Sequence, residues 1–311
     1  MPIFMDNDMI IVIVGPTSSG KSRVALEVAS RIDSEIVSCD SMQIYRGMDI
    51  LTRVPSGEEL KKVKHHFVNI IDPGEEYNAA RYSVEARTVI NKIISGGKAP
   101  LVVGGTGLYL RTLLDGIFNG PVKDEELRKE LIARADKEGK EVLYDRLRLM
   151  DPVTAAKLHP NDLKRVTRAI EVYELTGRPM SEKKIETAGE GIGYAKRIFG
   201  LALEREMMYE RINKSVDKMF DEGIIEEVRA LEKGRLSETA SKAIGIKEIG
   251  AYLRGEWDID TAREEMKKNT RHYAKRQITW FRADNRIEWV DAMREPKEIA
   301  REILFKVTSN Q

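Results

Sequence analysis

The chain has 311 residues, 41% hydrophobic and 33% charged, with a formal net charge of +1. This is the composition of an ordinary soluble protein, and its near-neutral balance excludes a chain-wide basic field, so any nucleic-acid surface must be local. A single cysteine, Cys39, excludes an internal disulfide and fits a reducing compartment.

The opening MPIFMDND carries two acids and no basic n-region, and the apolar run Met9–Val14 is too short to cross a bilayer. A cytoplasmic protein with no signal peptide and no membrane span is expected. Ile10–Val14 (IIVIV) is a β-branched run that reads as a buried parallel strand. Ser22–Arg31 follows with helical spacing, Glu35–Ser38 reads as a second strand, and Asn78–Ser95 as a helix stopped by Gly96-Gly97. Leu101–Val103 is a third strand. Alternation of this kind predicts an α/β parallel sheet with ligands at the carboxyl ends of its strands. Near Gly116 the pattern turns helical and charge-dense over Lys123–Met150 and Asp162–Leu175, the latter ending at Thr176-Gly177-Arg178-Pro179. Ser181–Gly193 reads as a polar linker, Arg197–Leu203 as a strand, and the rest as helix with a late strand at Ile287–Val290. The expected organisation is a core of residues 1–115 and 196–311, with an all-helical insertion over 116–195.

Gly15-Pro16-Thr17-Ser18-Ser19-Gly20-Lys21-Ser22 matches GxxxxGK[ST], with a strand before it and a helix after it. Glycines let the loop turn its N–H groups inward, the helix adds its positive dipole end, Lys21 adds a point charge, and the Ser22 hydroxyl suits Mg²⁺. The loop predicts binding of a di- or triphosphate, ATP included, without saying which. Asp40 follows the second strand, where both a proton acceptor and a capping aspartate fit. Gly104-Gly105-Thr106-Gly107 follows the third strand, where nucleotide triphosphatases often place an acid on Mg²⁺. Glycines and a neutral hydroxyl there weaken a plain ATPase reading. Cys39 is expected as a small buried hydrophobe, and His65 and His66 as hydrogen-bonding or capping residues of a turn. Basic and aromatic residues interleave from Lys267 to Arg282; an RNA surface and an amphipathic helix burying Trp280 and Phe281 both fit.

Together these segments resemble the tRNA dimethylallyltransferase (tRNA isopentenyltransferase) family. GPTSSGKS, SCDSMQIYRGMDI, KHHFVNIIDPGEEY, VVGGTGLYL, HPNDLKRVTRAIEVYELTGRP and TRHYAKRQITWF stand in the family's order, from Ile10 to about Trp289. The resemblance implies a P-loop NTPase-like parallel sheet and transfer of a dimethylallyl group from its diphosphate to the amine of the adenosine 3′ of the tRNA anticodon. It implies that Gly15–Ser22 cradle the diphosphate, with Thr17 facing the reaction centre and Mg²⁺ on Ser22. Asp40 would be the general base, Lys21 and Thr106 would act on the diphosphate, and Arg211 is favoured over Arg205 as the catalytic arginine. Asp40, Ser41, Met42, Gln43 and Thr106 would line the flipped base. Arg128, Lys164, Arg165, Arg168, Arg271, Lys275 and Arg276 would touch the RNA. Three positions depart from the family pattern: Ser215 replaces an arginine, Ile246 a tyrosine, and Leu163 a polar residue. A monomer is expected. A P-loop small-molecule kinase and a nucleotide-switched RNA-binding protein stand as alternatives.

Overall fold

A computed structural model describes residues 9–116, 124–182 and 191–309. The chain divides into two compact units, Met1–Leu113 with Gly193–Gln311, and Leu114–Ile192.

The first unit is built on strands β1 Met9–Val14, β2 Ser34–Cys39, β3 His65–His66, β4 Ala99–Gly104, β5 Ala195–Ala202 and β6 Ile287–Asp291. They form one sheet in the order β3-β2-β4-β1-β5-β6, and every pairing is parallel. β1 is buried on both faces, which is why its sequence is continuous rather than alternating. The helices of this unit are α1 Lys21–Ala29, α2 Asp49–Thr52, α3 Gly57–Lys62, α4 Ala79–Ser95 and α5 Gly107–Asp115, the last running on into the second unit. In the helical unit, α6 Glu125–Glu138, α7 Lys140–Met150, α8 Pro152–Ala155 and α9 Leu163–Thr176 follow. The chain then returns to the first unit for α10 Arg205–Asp221, α11 Ile224–Glu232, α12 Ile246–Leu253, α13 Ile259–Arg282 and α14 Pro296–Thr308.

The strand order decides where the chemistry lies. β4 sits between β1 and β2, and Val14 and Cys39 both align with Gly104. The loop after β1, the turn after β4 and Asp40 after β2 therefore leave the sheet side by side at one level. Below them, Ile11, Ile13, Ile36, Leu101, Phe199 and Leu201 pack against Val24 and Val28 of α1 and Ile299 and Ile303 of α14. Each such aliphatic side chain, fully buried, contributes about 1.5–3 kcal/mol. The helical unit has its own core, in which Leu131, Leu143, Leu147, Val166 and Ile170 converge.

Several expectations are refined. The helical stretch from 123 to 150 is two helices, because Gly139 at φ 95 ends α6 and opens α7; Lys123 lies outside the described residues, as does most of the expected linker. His65 and His66 are not a turn but a short edge strand, paired with Ile36 and Val37. His66 Nε2 lies 2.7 Å from Glu35 Oε2, and His65 Nδ1 lies 2.7 Å from the Val63 carbonyl. Val84 faces solvent at 66% exposure, whereas α4 buries Tyr82, Ala86, Ile90 and Ile93. Cys39 is buried, and burial pushes its thiol up to about 12, which leaves it inert as a nucleophile. Phe281 is in the core. Trp280 is only half-buried, with the Arg111 guanidinium 4.5 Å from its ring centre. Leu163 packs on the edge of the helical unit's core, and Ile246 is buried at the start of α12, so both departures serve packing.

Candidate active site

The helix that follows the glycine-rich loop starts without a side-chain cap. Gly20, at φ 93, is its N-cap. In contrast, Asn78 caps α4 by accepting from the N–H groups of Ala80 and Arg81, both at 3.0 Å. An uncapped first turn keeps its N–H groups for an anion. Lys21 stands in that turn, and its Nζ donates to the Pro16 carbonyl at 2.6 Å. Burial brings the Lys21 ammonium down to about 8, against the opposing pull of the Asp40 charge.

Asp40 lies one residue beyond β2. Its Oδ1 accepts from the Met42 N–H at 2.9 Å. Burial raises its carboxyl above the usual value, partly offset by the Met42 N–H, by Lys21 and by the Gln43 N–H. The aspartate thus combines the two sequence readings: it caps its own turn and also lines an open cleft with a raised proton affinity. Thr106 stands directly behind it. Its Oγ1 accepts from the Ser41 N–H at 3.0 Å and donates to Ser41 Oγ at 3.3 Å. Thr106 therefore pins the residue next to Asp40.

Lys21 and Asp40 open on one cleft of about 680 Å³, whereas Thr106, expected to line the flipped base, is not among its lining residues because its hydroxyl is engaged by Ser41. Thr17, Ser18, Gly20, Lys21 and Ser22 form one side and Asp40, Ser41, Met42 and Gln43 another. Leu51, Met219, Ile244 and Met266 supply an apolar wall. Among the described residues, the basic side chains on the cleft are Lys21, Arg23, Arg53, Arg211, Lys214, Lys218, Lys242 and Arg276, against one carboxylate, that of Asp40. A chain of net charge +1 thus gathers its positive charge where an anion is to be held. Some of it is tempered: Lys214 pairs with Glu210 at 2.6 Å and Lys218 with Glu222 at 3.3 Å.

Arg211 lines this cleft and donates to the Ala292 carbonyl at 3.4 Å. Arg205 is exposed and donates to the Tyr209 hydroxyl at 3.2 Å. Ser215 is on the cleft wall between Lys214 and Lys218. Of the basic residues expected on RNA, Arg276 lines the cleft and stacks 5.7 Å from the Tyr273 ring centre. Arg271 and Lys275 lie over the Tyr209 ring at 5.8 and 5.7 Å. In the helical unit, Arg128 and Arg168 both grip the buried Glu171, Arg128 at 2.8 and 2.7 Å. Lys164 and Arg165 are exposed.

Sequence reasoning passed over Gln277 and the apolar wall, whereas Tyr273, one of the interleaved basic and aromatic residues, does line the cleft. Gln277 is buried; its Oε1 accepts from the Thr17 N–H at 2.8 Å and its Nε2 donates to the Gly105 carbonyl at 2.9 Å. The signal was present: on α13, position 277 falls in helical step with the buried Ala274 and Phe281, and an uncharged amide on a core stripe needs partners. The apolar wall comes from four separate segments, which no local pattern joins.

A cleft of this kind, with a glycine-rich loop after β1 and a carboxylate after β2, places the protein in the phosphate-loop class of α/β folds. The profile of the IPP transferase family matches residues 43–284, and that of isopentenyl transferases residues 8–75. A tRNA dimethylallyltransferase of Geobacter sulfurreducens is 47% identical over 284 residues, 91% of each chain. One from Halothermothrix orenii is 45% identical over 92% of this chain and 88% of that one. The crystal structure of a tRNA isopentenylpyrophosphate transferase from Bacillus halodurans superposes with a TM-score of 0.71 at 37% identity, covering 97% of both chains. A eukaryotic dimethylallyltransferase acting on tRNA gives 0.80 at 28% identity, over 97% of this chain and 79% of that one. The chain belongs to the tRNA dimethylallyltransferase family. These relatives do not favour a small-molecule kinase or a nucleotide-switched RNA-binding protein.

Proposed function

We propose that the protein transfers a dimethylallyl group from dimethylallyl diphosphate to the exocyclic amine of the adenosine 3′ of a tRNA anticodon, releasing diphosphate. The observation that carries this reading is the three-part cleft: a phosphate cradle, a half-buried carboxylate and an apolar wall face one space.

The loop N–H groups, Lys21 and Arg211 hold the diphosphate and absorb the charge that develops on it. As the allylic C–O bond breaks, its electron pair leaves with the diphosphate. The adenine nitrogen forms the new bond to the same carbon and gives its proton to Asp40. Thr106 keeps Ser41, and with it Asp40, in place. The apolar wall takes the five-carbon tail and keeps water from the allylic centre. Asp40 to Gln43 line the space for the adenine, which must leave its stack to reach it.

The residues fit Mg²⁺ arriving on the diphosphate: the cleft offers the Ser22 hydroxyl and one carboxylate, and this ion binds few protein ligands beside phosphate oxygens and waters. When bound it neutralises charge on the leaving diphosphate. The exposed Lys164 and Arg165, together with Arg128, Arg168, Arg271, Lys275 and Arg276, contact the RNA backbone. Among the described residues no helix is long and apolar enough to cross a membrane; a cytoplasmic monomer is the state proposed.

The test follows both possible uses of the phosphate loop in one reaction. With tRNA, dimethylallyl diphosphate and Mg²⁺, diphosphate release should track tRNA consumed and need no ATP. Release of ADP from ATP in step with turnover would overturn the reading.

A further inference from the structure

Gln277 links two parts of the cleft that lie far apart in sequence. The Thr17 N–H is one of the phosphate loop's own donors, yet it points at the Gln277 side-chain oxygen at 2.8 Å. The other end of the same amide holds the Gly105 carbonyl at 2.9 Å. The partners fix which way the amide faces, since an N–H needs the oxygen and a carbonyl needs the NH₂. Both sides are shaped for the contact: a side chain on Gly105 would put its Cβ 2.3 Å from Gln277 Nε2. Gln277 itself is 5% exposed, on a stripe of α13 that otherwise buries Ala274 and Phe281. An apolar residue would satisfy the core there; an amide is tolerated only because both its ends are paired.

The link continues to the base. Gly105 is followed by Thr106, whose N–H donates to the Cys39 carbonyl at 3.1 Å and whose hydroxyl holds the Ser41 N–H at 3.0 Å. Asp40 stands between those two residues. We propose that Gln277 is a positioning residue for prenyl transfer, setting the spacing between the loop that holds the diphosphate and the turn that holds Asp40. It lines the cleft, but both ends of its amide are engaged by the protein, so it acts through Thr17 and Gly105. By engaging the Thr17 N–H it also orients Thr17 toward the cleft and leaves the diphosphate to the remaining N–H groups of the loop. This inference rests on the function proposed above, and its test separates the two.

The experiment compares the wild-type protein with Gln277→Glu, using unmodified tRNA and dimethylallyl diphosphate across pH. An ionised carboxylate still accepts the Thr17 N–H but repels the Gly105 carbonyl. A protonated one donates and accepts, as the amide does. At about pH 8 the variant should lose about 10- to 100-fold in kcat, with a smaller rise in the KM for tRNA. The ratio of variant to wild-type rate should climb as pH falls toward about 5.5, because the neutral acid restores both contacts. A packing role alone would restore activity only in step with the variant's thermal stability, so a ratio flat with pH, or one that merely follows the melting temperature, overturns the proposal. A wild-type protein that forms no prenylated adenosine would instead refute the function. If the variant does not fold, the wild-type protein still decides the matter: amide hydrogen exchange should show the Thr17 N–H protected without donor, and rapid exchange there overturns the link.

Discussion

Asp40 and Lys21 share one buried site, and each shifts the other's proton. Burial raises the carboxyl and brings the ammonium down to about 8. The base works only as a carboxylate, so kcat/KM should rise with pH through the raised value of Asp40. The cation binds diphosphate only while protonated, so kcat/KM should fall again as pH passes about 8. Asp40→Asn should lower the chemical rate by about two to four orders of magnitude, abolish the acid limb and leave both substrates bound. Single-turnover prenyl transfer across pH measures all three; a variant with near-normal turnover contradicts the role given to Asp40. Much of this was readable in sequence, because the loop and Asp40 each follow directly from a strand. The partners of Gln277 were not, since they lie 260 and 172 residues away and only the fold brings them together.

The elements were more legible than their limits. β-branched runs gave β1 and β4, and Gly177, in the left-handed region at φ 68, ended α9 where expected. β3 escaped because two residues carry no periodicity, and the break at Gly139 escaped because the charged pattern continues across it. On α9, Glu171 is fully buried between Arg128 and Arg168, and their hydrogen bonds hold its carboxyl down at about 2. A depressed carboxyl gives stability that is complete above its unfolded value of 4.5 and lost as pH falls through about 2. Arg128→Ala removes two of the bonds to Glu171 and should cost the helical unit about 1.5–3 kcal/mol. Denaturant unfolding near neutral pH checks this, and the difference between the two proteins should shrink below about pH 4. Equal midpoints at neutral pH would mean that Arg128 is not structural, leaving RNA as its main partner.

At the scale of the whole molecule, two separate cores sit in two compact units. Among the described residues, those lining the cleft with its phosphate loop and Asp40 belong to the first unit. Replacing residues 114–192 with a short Gly/Ser linker should therefore leave a cooperatively folding protein that still binds inorganic diphosphate. The same protein should lose most of its tRNA affinity and its prenyl transfer. If it modifies an anticodon stem-loop at the normal rate, the helical unit has no part in RNA recognition. The change of character in the sequence near residue 116 marked this unit, because a stretch of charged helical period interrupts a run of strands. The most direct measurement of the central claim is chemical: incubate the protein with labelled dimethylallyl diphosphate and unmodified tRNA, digest the tRNA and identify the labelled nucleoside. The account predicts label on the exocyclic amine of one adenosine, the one 3′ of the anticodon; label absent from the tRNA, or carried on another nucleoside, would contradict it.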